Sequence, residues 1–179
     1  MKLLRTIRLD PSDAYVFGRA AEPGEWAVPG AFAFAHTDVA ALEGKARAEF
    51  RSGFLGIDSL GWSTLVQVVE ATEEDRQAAV QLLAQRLVER FGAPNIATAR
   101  PAAEEEIAFA ASLSDHTKGM LVALSRKYAD GEIREVFRTL VPGVGAKPAR
   151  AYAFLEVVGE DEPSEETIDL MSIAKRERT

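Results

Sequence analysis

The dipeptide Asp130-Gly131 separates two apolar-rich runs, Leu121 to Tyr128 and Ile133 to Leu140, and it restricts the fold more than any other feature of the chain. Asp-Gly readily takes the positive backbone angles of a two-residue turn, so the runs are expected to pair antiparallel with no helix between them. Ile133, Val136, Phe137 and Leu140 also match helical spacing, but only over two turns, and the turn chemistry is the more specific signal. Consecutive strands without a crossover helix argue against a doubly wound parallel sheet. The expectation is an α+β fold, with a mainly antiparallel sheet of about five to seven strands and helices packed on one face.

Upstream, Lys2 to Leu9 alternates with an imperfect period of two and reads as a strand, followed by turn residues Asp10 to Asp13 and an extended Ala14 to Phe17. Glu25 to His36 carries Trp26, Val28, Phe32 and Phe34 at period two, so it reads as a strand pair or a strand bent at Pro29-Gly30. Thr37 or Asp38 can cap a helix over residues 38–51 with Val39, Leu42, Ala46 and Phe50 on one face. Leu65 to Val69 is β-branched and reads as a central strand. Thr72 and Asp75 have capping-box spacing before a stripe of Val80, Leu83, Leu87, Val88 and Phe91, which predicts a helix over 73–91 ended by Gly92 to Asn95. Pro101 fits the first turn of a helix over 101–113, which would set Glu104, Glu105 and Glu106 near the positive end of its dipole. Val141 to Pro148 reads as a loop and Ala151 to Val158 as a last strand. The element order admits a ferredoxin-like unit.

A chain of 179 residues fits one domain, expected over residues 1–158. Of the net charge of −7, most lies beyond it. Residues 159–179 hold seven acids and three bases, so the body is nearly balanced and the end is an acidic tail with a short helix suggested by Ile168, Met171 and Ile173. This field disfavours nucleic acid as a partner. The charged first ten residues hold no export signal, and no apolar run reaches the roughly 20 residues that span a bilayer. Without cysteine, the chain is expected to be cytoplasmic and clear of membranes.

No thiolate site or multi-histidine metal cage can be built from zero cysteines and two histidines, so no metal and no cofactor is expected. Asp115-His116 lies in a loop where an imidazole could act as base, although Ser114-Asp115 is equally good turn chemistry. His36, beside Thr37 and Asp38, could orient a ligand or only close a strand. A site of two histidines and one acid would need His36 and His116 to meet with Glu104, Glu106 or Asp115. The glycine loops at 53–56 and 142–145 lack the context of phosphate-binding motifs, and no GxSxG is present. Trp26, Trp62, Phe32, Phe34 and Phe54 could line an apolar cavity with Arg47 and Arg51 at its mouth, or could be core and solvated surface.

Met1 to Asp10, Glu25 to Gly30, Arg51 to Gly56, Gly61 to Thr64, Glu104 to Phe109 and Gly131 to Arg134 resemble, over about residues 1–140, an uncharacterised family of small proteobacterial proteins. The resemblance implies a bacterial cytoplasmic setting and carries no activity or catalytic residues. Two functional readings follow from the residues. In the first, the protein is a non-catalytic accessory or partner-binding protein that self-associates through a strand edge or the tail. In the second, it is a cofactor-free enzyme or small-molecule binder that uses the aromatic pocket with Arg47, Arg51 and His36 or His116.

Overall fold

The hairpin forms as its turn chemistry dictates, and the larger of two sheets is built on it. In the computed structural model, which describes residues 1–142 and 155–157, β6 (Leu121–Ala129) and β7 (Glu132–Pro142) pair from Ala129–Glu132 to Leu121–Leu140. Asp130 and Gly131 turn with φ of 55° and 79°. β1 (Lys2–Thr6), β5 (Leu65–Glu70) and β8 (Leu155–Val157) complete a five-stranded antiparallel sheet in the order β1-β5-β6-β7-β8. A second antiparallel sheet contains β2 (Ala27–Val28), β3 (Phe54–Gly56) and β4 (Trp62–Ser63) in sequence order. The α+β class is therefore as expected, with the strands divided between two sheets.

Period-two alternation puts Leu4, Val66, Val68, Val122 and Leu124 on one face of the larger sheet, where all are buried. They share a core with two long helices inserted between β5 and β6, α3 (Glu73–Arg90) and α4 (Ile96–Ser112). Val80, Leu83 and Ala84 of α3 meet the small residues Ala99, Ala103 and Ala110 of α4, with Ile107 among them. Alanines let the two helix axes approach closely. α3 starts in the expected capping box, with Thr72 and Asp75 bonding each other's backbone N–H.

Several elements differ from the sequence expectation for identifiable reasons. Residues expected to be extended at Ala14 to Phe17 lie largely in α1 (Ser12–Val16), because Asp10 accepts the Ser12 N–H and Asp13 turns inward to Thr64. The strand from Glu25 to His36 stops at Val28. Gly30 takes a left-handed φ of 78°, and Ala31–Phe34 forms a 3-10 turn that sends Phe32 to Phe91 and Phe34 to Trp62. The helix expected over 38–51 is interrupted. Asp38 caps a short 3-10 turn at Val39–Ala41, Leu42 and Glu43 are extended, and α2 runs over Gly44–Ser52 with Ala46 exposed and Phe50 buried. α4 begins at the Asn95 cap, so Pro101 sits in its second turn and the glutamates lie mid-helix, away from the dipole's positive end.

Strands joined through helices, β1 to β5 and β5 to β6, are direct neighbours. No third strand separates them as the split unit of a ferredoxin-like fold requires. β8 falls inside the strand expected at Ala151 to Val158. The remainder of that strand, the rest of the 141–148 loop after Pro142 and the acidic tail at 159–179 lie outside the described residues.

Candidate functional site

The β6–β7 register has a chemical consequence. It sets Arg126 opposite Glu135 on the face that carries Val122 and Leu124, which places a guanidinium inside the protein. The Arg126 side chain is 0% exposed and Glu135 15%. Nε donates to Glu135 Oε1 at 2.9 Å, Nη1 to the Phe50 carbonyl at 2.7 Å and Nη2 to the Pro29 carbonyl at 2.6 Å. The rings of Phe34 and Phe50 lie 5.6 and 5.8 Å from its central carbon. Burial pushes the guanidinium pKa down and the Glu135 charge pushes it back, so the group stays charged. One side chain thereby ties the hairpin to the end of α2 and to the loop after β2.

That loop leads to a second buried charge. The Gly30 N–H donates to Glu106 Oε1 at 3.0 Å, and Glu106 is held mid-helix on α4. Burial is the main cause that raises the Glu106 carboxyl above its ordinary range. The Gly30 hydrogen bond opposes it, the charge of Glu135 adds to it and Arg126 again lowers it. Among the described residues, every buried side-chain nitrogen and oxygen has a partner. Glu106 Oε1 is engaged by Gly30, and the residue also borders open space.

That space is a half-open groove of about 360 Å³ between α3 and α4. Leu83 and Leu87 of α3 form one wall, and Phe32 and Phe109 close the ends. Ala102, Glu105 and Glu106 of α4 form the other wall. Phe32 and Phe109 are packed edge-on with Phe91 and Phe137, with ring centroids 5.2 and 5.7 Å apart, so the groove has packed aromatic residues beside the carboxyls of its α4 wall. A second hollow of about 260 Å³ lies where Phe34, Thr37, Asp38 and Val39 meet Tyr128 and Ile133 near the hairpin tip.

The residues expected to carry chemistry are dispersed. His36 is exposed beyond the 3-10 turn. Its neighbours Ala35 and Thr37 line the second hollow, while His36 does not. Asp115 and His116 are exposed between α4 and β6, with the His116 carbonyl accepting from Lys2 Nζ. The histidines therefore sit at opposite ends of nine-residue β6, on the order of 25 Å apart at about 3.3 Å per residue. Among the described residues, no group of three histidines, cysteines or acids is placed to hold a metal ion. Arg47 and Arg51 are exposed on α2. Trp62 is buried and stacked on Phe34 at 5.3 Å, Phe54 is fully buried, and Trp26 lies beneath Arg5, whose guanidinium carbon is 3.9 Å from the ring. Of that aromatic set, Phe32 alone reaches the α3–α4 groove.

Arg126, Glu135 and Glu106 were not singled out by sequence reasoning for burial. A signal existed for the first two, since Arg126 continues the inward series Val122, Leu124, and a two-residue turn at 130–131 fixes Glu135 as its partner. Glu106 was hidden by the misplaced helix start.

The fold and this groove define a small α+β domain with an acidic recess between two helices. The chain belongs to a family of unknown function, DUF6505, which matches residues 1–149. No curated protein and no solved structure matches it. Among the described residues, no helix is long and apolar enough to cross a membrane.

Proposed function

We propose that this protein is a non-catalytic accessory protein that binds a small molecule in the α3–α4 groove. The observation that carries the reading is the pairing of an apolar recess with a half-buried carboxyl in its lining, the usual composition of a ligand site. Its volume falls at the lower end of the roughly 300–1,000 Å³ typical of such sites. Binding is favoured over acid–base chemistry because Glu105 and Glu106 are consecutive on a helix, and side chains at i and i+1 diverge and do not converge on one atom.

A thermal-shift screen of small molecules tests this, because a ligand that prefers the native state raises apparent stability. At a ligand concentration of 100 times Kd the gain is about 2.7 kcal/mol. Ala102→Trp and Leu87→Trp fill the groove from opposite walls, and each should abolish the shift while leaving the circular dichroism spectrum native. Equal shifts in the filled variants would place the ligand elsewhere and defeat the reading.

Self-association is a second reading, favoured by the outward face of β7. Val136 is 55% exposed there, between exposed Arg134 and Arg138. Light scattering of the full chain, of Val136→Glu and of a chain lacking residues 159–179 separates a sheet-face contact from a tail contact. A monomeric mass for all three would refute both.

A further inference from the structure

The geometry points to a particular ligand class for the groove: a small organic cation, an amine or quaternary ammonium on an apolar body, with its charge against Glu106 and its body between Phe32 and Phe109. This inference rests on the groove being the ligand site, and it goes further by fixing the sign of the ligand's charge.

The charge argument begins with what faces the recess. Its charged lining groups are Glu105 and Glu106, both acidic, and α3 contributes only Leu83 and Leu87 to the wall. The nearest cation behind Glu106 is Arg126, which is already engaged by Glu135 and by the carbonyls of Phe50 and Pro29. The groove therefore carries an excess of negative charge in a partly desolvated setting. An anionic ligand would face both carboxylates, and a neutral one would leave the Glu106 oxygen without a charged partner. A cation meets Glu106 directly. It also meets two phenyl rings, Phe32 and Phe109, and over a ring face an ammonium gains cation–π attraction that a neutral group of equal size lacks.

The geometry has a protonic consequence. A cation beside Glu106 favours its ionised form, so binding should expel the proton that burial helps the carboxyl to keep. The charged groups that bear on this carboxyl are Glu135 from β7, Arg126 from β6 and Glu105 from its own helix, with the Gly30 N–H from the loop after β2. α3 presents no charge to it. Affinity for a cation should therefore climb as pH rises through the Glu106 titration and level off above it.

Benzylamine, benzyl alcohol and benzoate are probes of similar size that differ in charge. Titration calorimetry of the full chain should show benzylamine binding about tenfold or more tightly than benzyl alcohol, and benzoate not binding. Repeating the titration across a pH series, in two buffers of different ionisation enthalpy, should reveal proton release with the amine over the range in which Glu106 titrates. Glu106→Gln keeps the acceptor for Gly30 and removes the charge. It should cost the amine about tenfold in affinity, abolish proton release and flatten the pH dependence, while leaving the alcohol unchanged.

Equal binding of amine and alcohol without proton release would overturn the cation inference. The groove reading would survive that result if Ala102→Trp still abolished alcohol binding. Failure of all three probes to bind at millimolar concentration would also overturn the inference, and the broader screen would then decide the groove reading separately.

Discussion

Arg126 makes several polar contacts, and its burial has an energetic meaning that can be measured. Removing a guanidinium from water costs several kcal/mol, which only a close counter-ion and well-placed acceptors can offset. Here Glu135 and two backbone carbonyls supply them. Arg126→Met should destabilise the protein by about 3–5 kcal/mol in urea denaturation, because it leaves Glu135 uncompensated and two carbonyls unpaired. The double variant with Glu135→Leu should recover part of that loss, and a single-variant cost below about 1 kcal/mol would mean that water replaces the guanidinium. The sequence held half of this. Period two and the Asp130-Gly131 turn place Arg126 and Glu135 together, whereas the Phe50 and Pro29 carbonyls come from distant segments that no local pattern relates to β6. Gly30 is similar. A bend was suggested by the Pro-Gly pair, yet the reason for a glycine with a left-handed backbone is also tertiary, since an added Cβ would lie 2.7 Å from Leu55 Cβ.

At the scale of elements, legibility followed local chemistry. α3 was readable because its cap and its apolar stripe agree, and the β6–β7 hairpin because its turn residues are specific. α4 was misplaced because Pro101 is a strong first-turn signal, and here it was overruled by Asn95, whose side chain accepts the Thr98 N–H at 2.9 Å. The observed helix starts five residues before the expected one, and that displacement moved Glu106 from near the helix start to mid-helix beside the groove. Asn95→Ala should therefore cost about 1 kcal/mol in equilibrium unfolding, the typical loss of an N-cap, with the helix shortened from its first turn. Pro101→Ala should do the opposite and stabilise, because Pro101 forgoes a bond to the Ala97 carbonyl. If Asn95→Ala were neutral and Pro101→Ala destabilising, the helix would start at Pro101 after all. The segment 29–43 was misread for a related reason: alternating Phe and Ala suit a strand, but a left-handed Gly30 and an extended Leu42-Glu43 divide it into short turns.

Across the whole molecule, the smaller sheet is joined to the larger by the Arg5–Trp26 bridge, by Ser63, and by contacts at the loop after β2. The Pro29 carbonyl accepts from Arg126 of the larger sheet, and the Gly30 N–H donates to Glu106 of α4. Unfolding should then be a single transition. Trp26 and Trp62 report on the region of the smaller sheet, and far-ultraviolet dichroism is dominated by α3 and α4. The two probes should give coincident urea curves in the natural protein and less coincident ones in Arg126→Met, where the contact at the loop after β2 is lost. The same junction gives stability a dependence on pH whose sign is set by Glu106. Its carboxyl binds a proton more tightly when folded than at its ordinary value of 4.5, so between those two values the folded state holds more protons than the unfolded. The Glu106 contribution is therefore fully present below about 4.5, declines as pH rises through the folded value and is level above it. Asp10, Glu73 and Asp75 at the surface titrate with the opposite sign, since hydrogen bonds lower their carboxyls and the stability they add is lost in acid. The difference between the natural protein and Glu106→Gln cancels those terms. Plotted against pH, the gain in stability from Glu106→Gln should rise from acid toward neutrality and then plateau. A flat difference would mean that the Glu106 carboxyl is as well solvated folded as unfolded, and that the groove floor is wet.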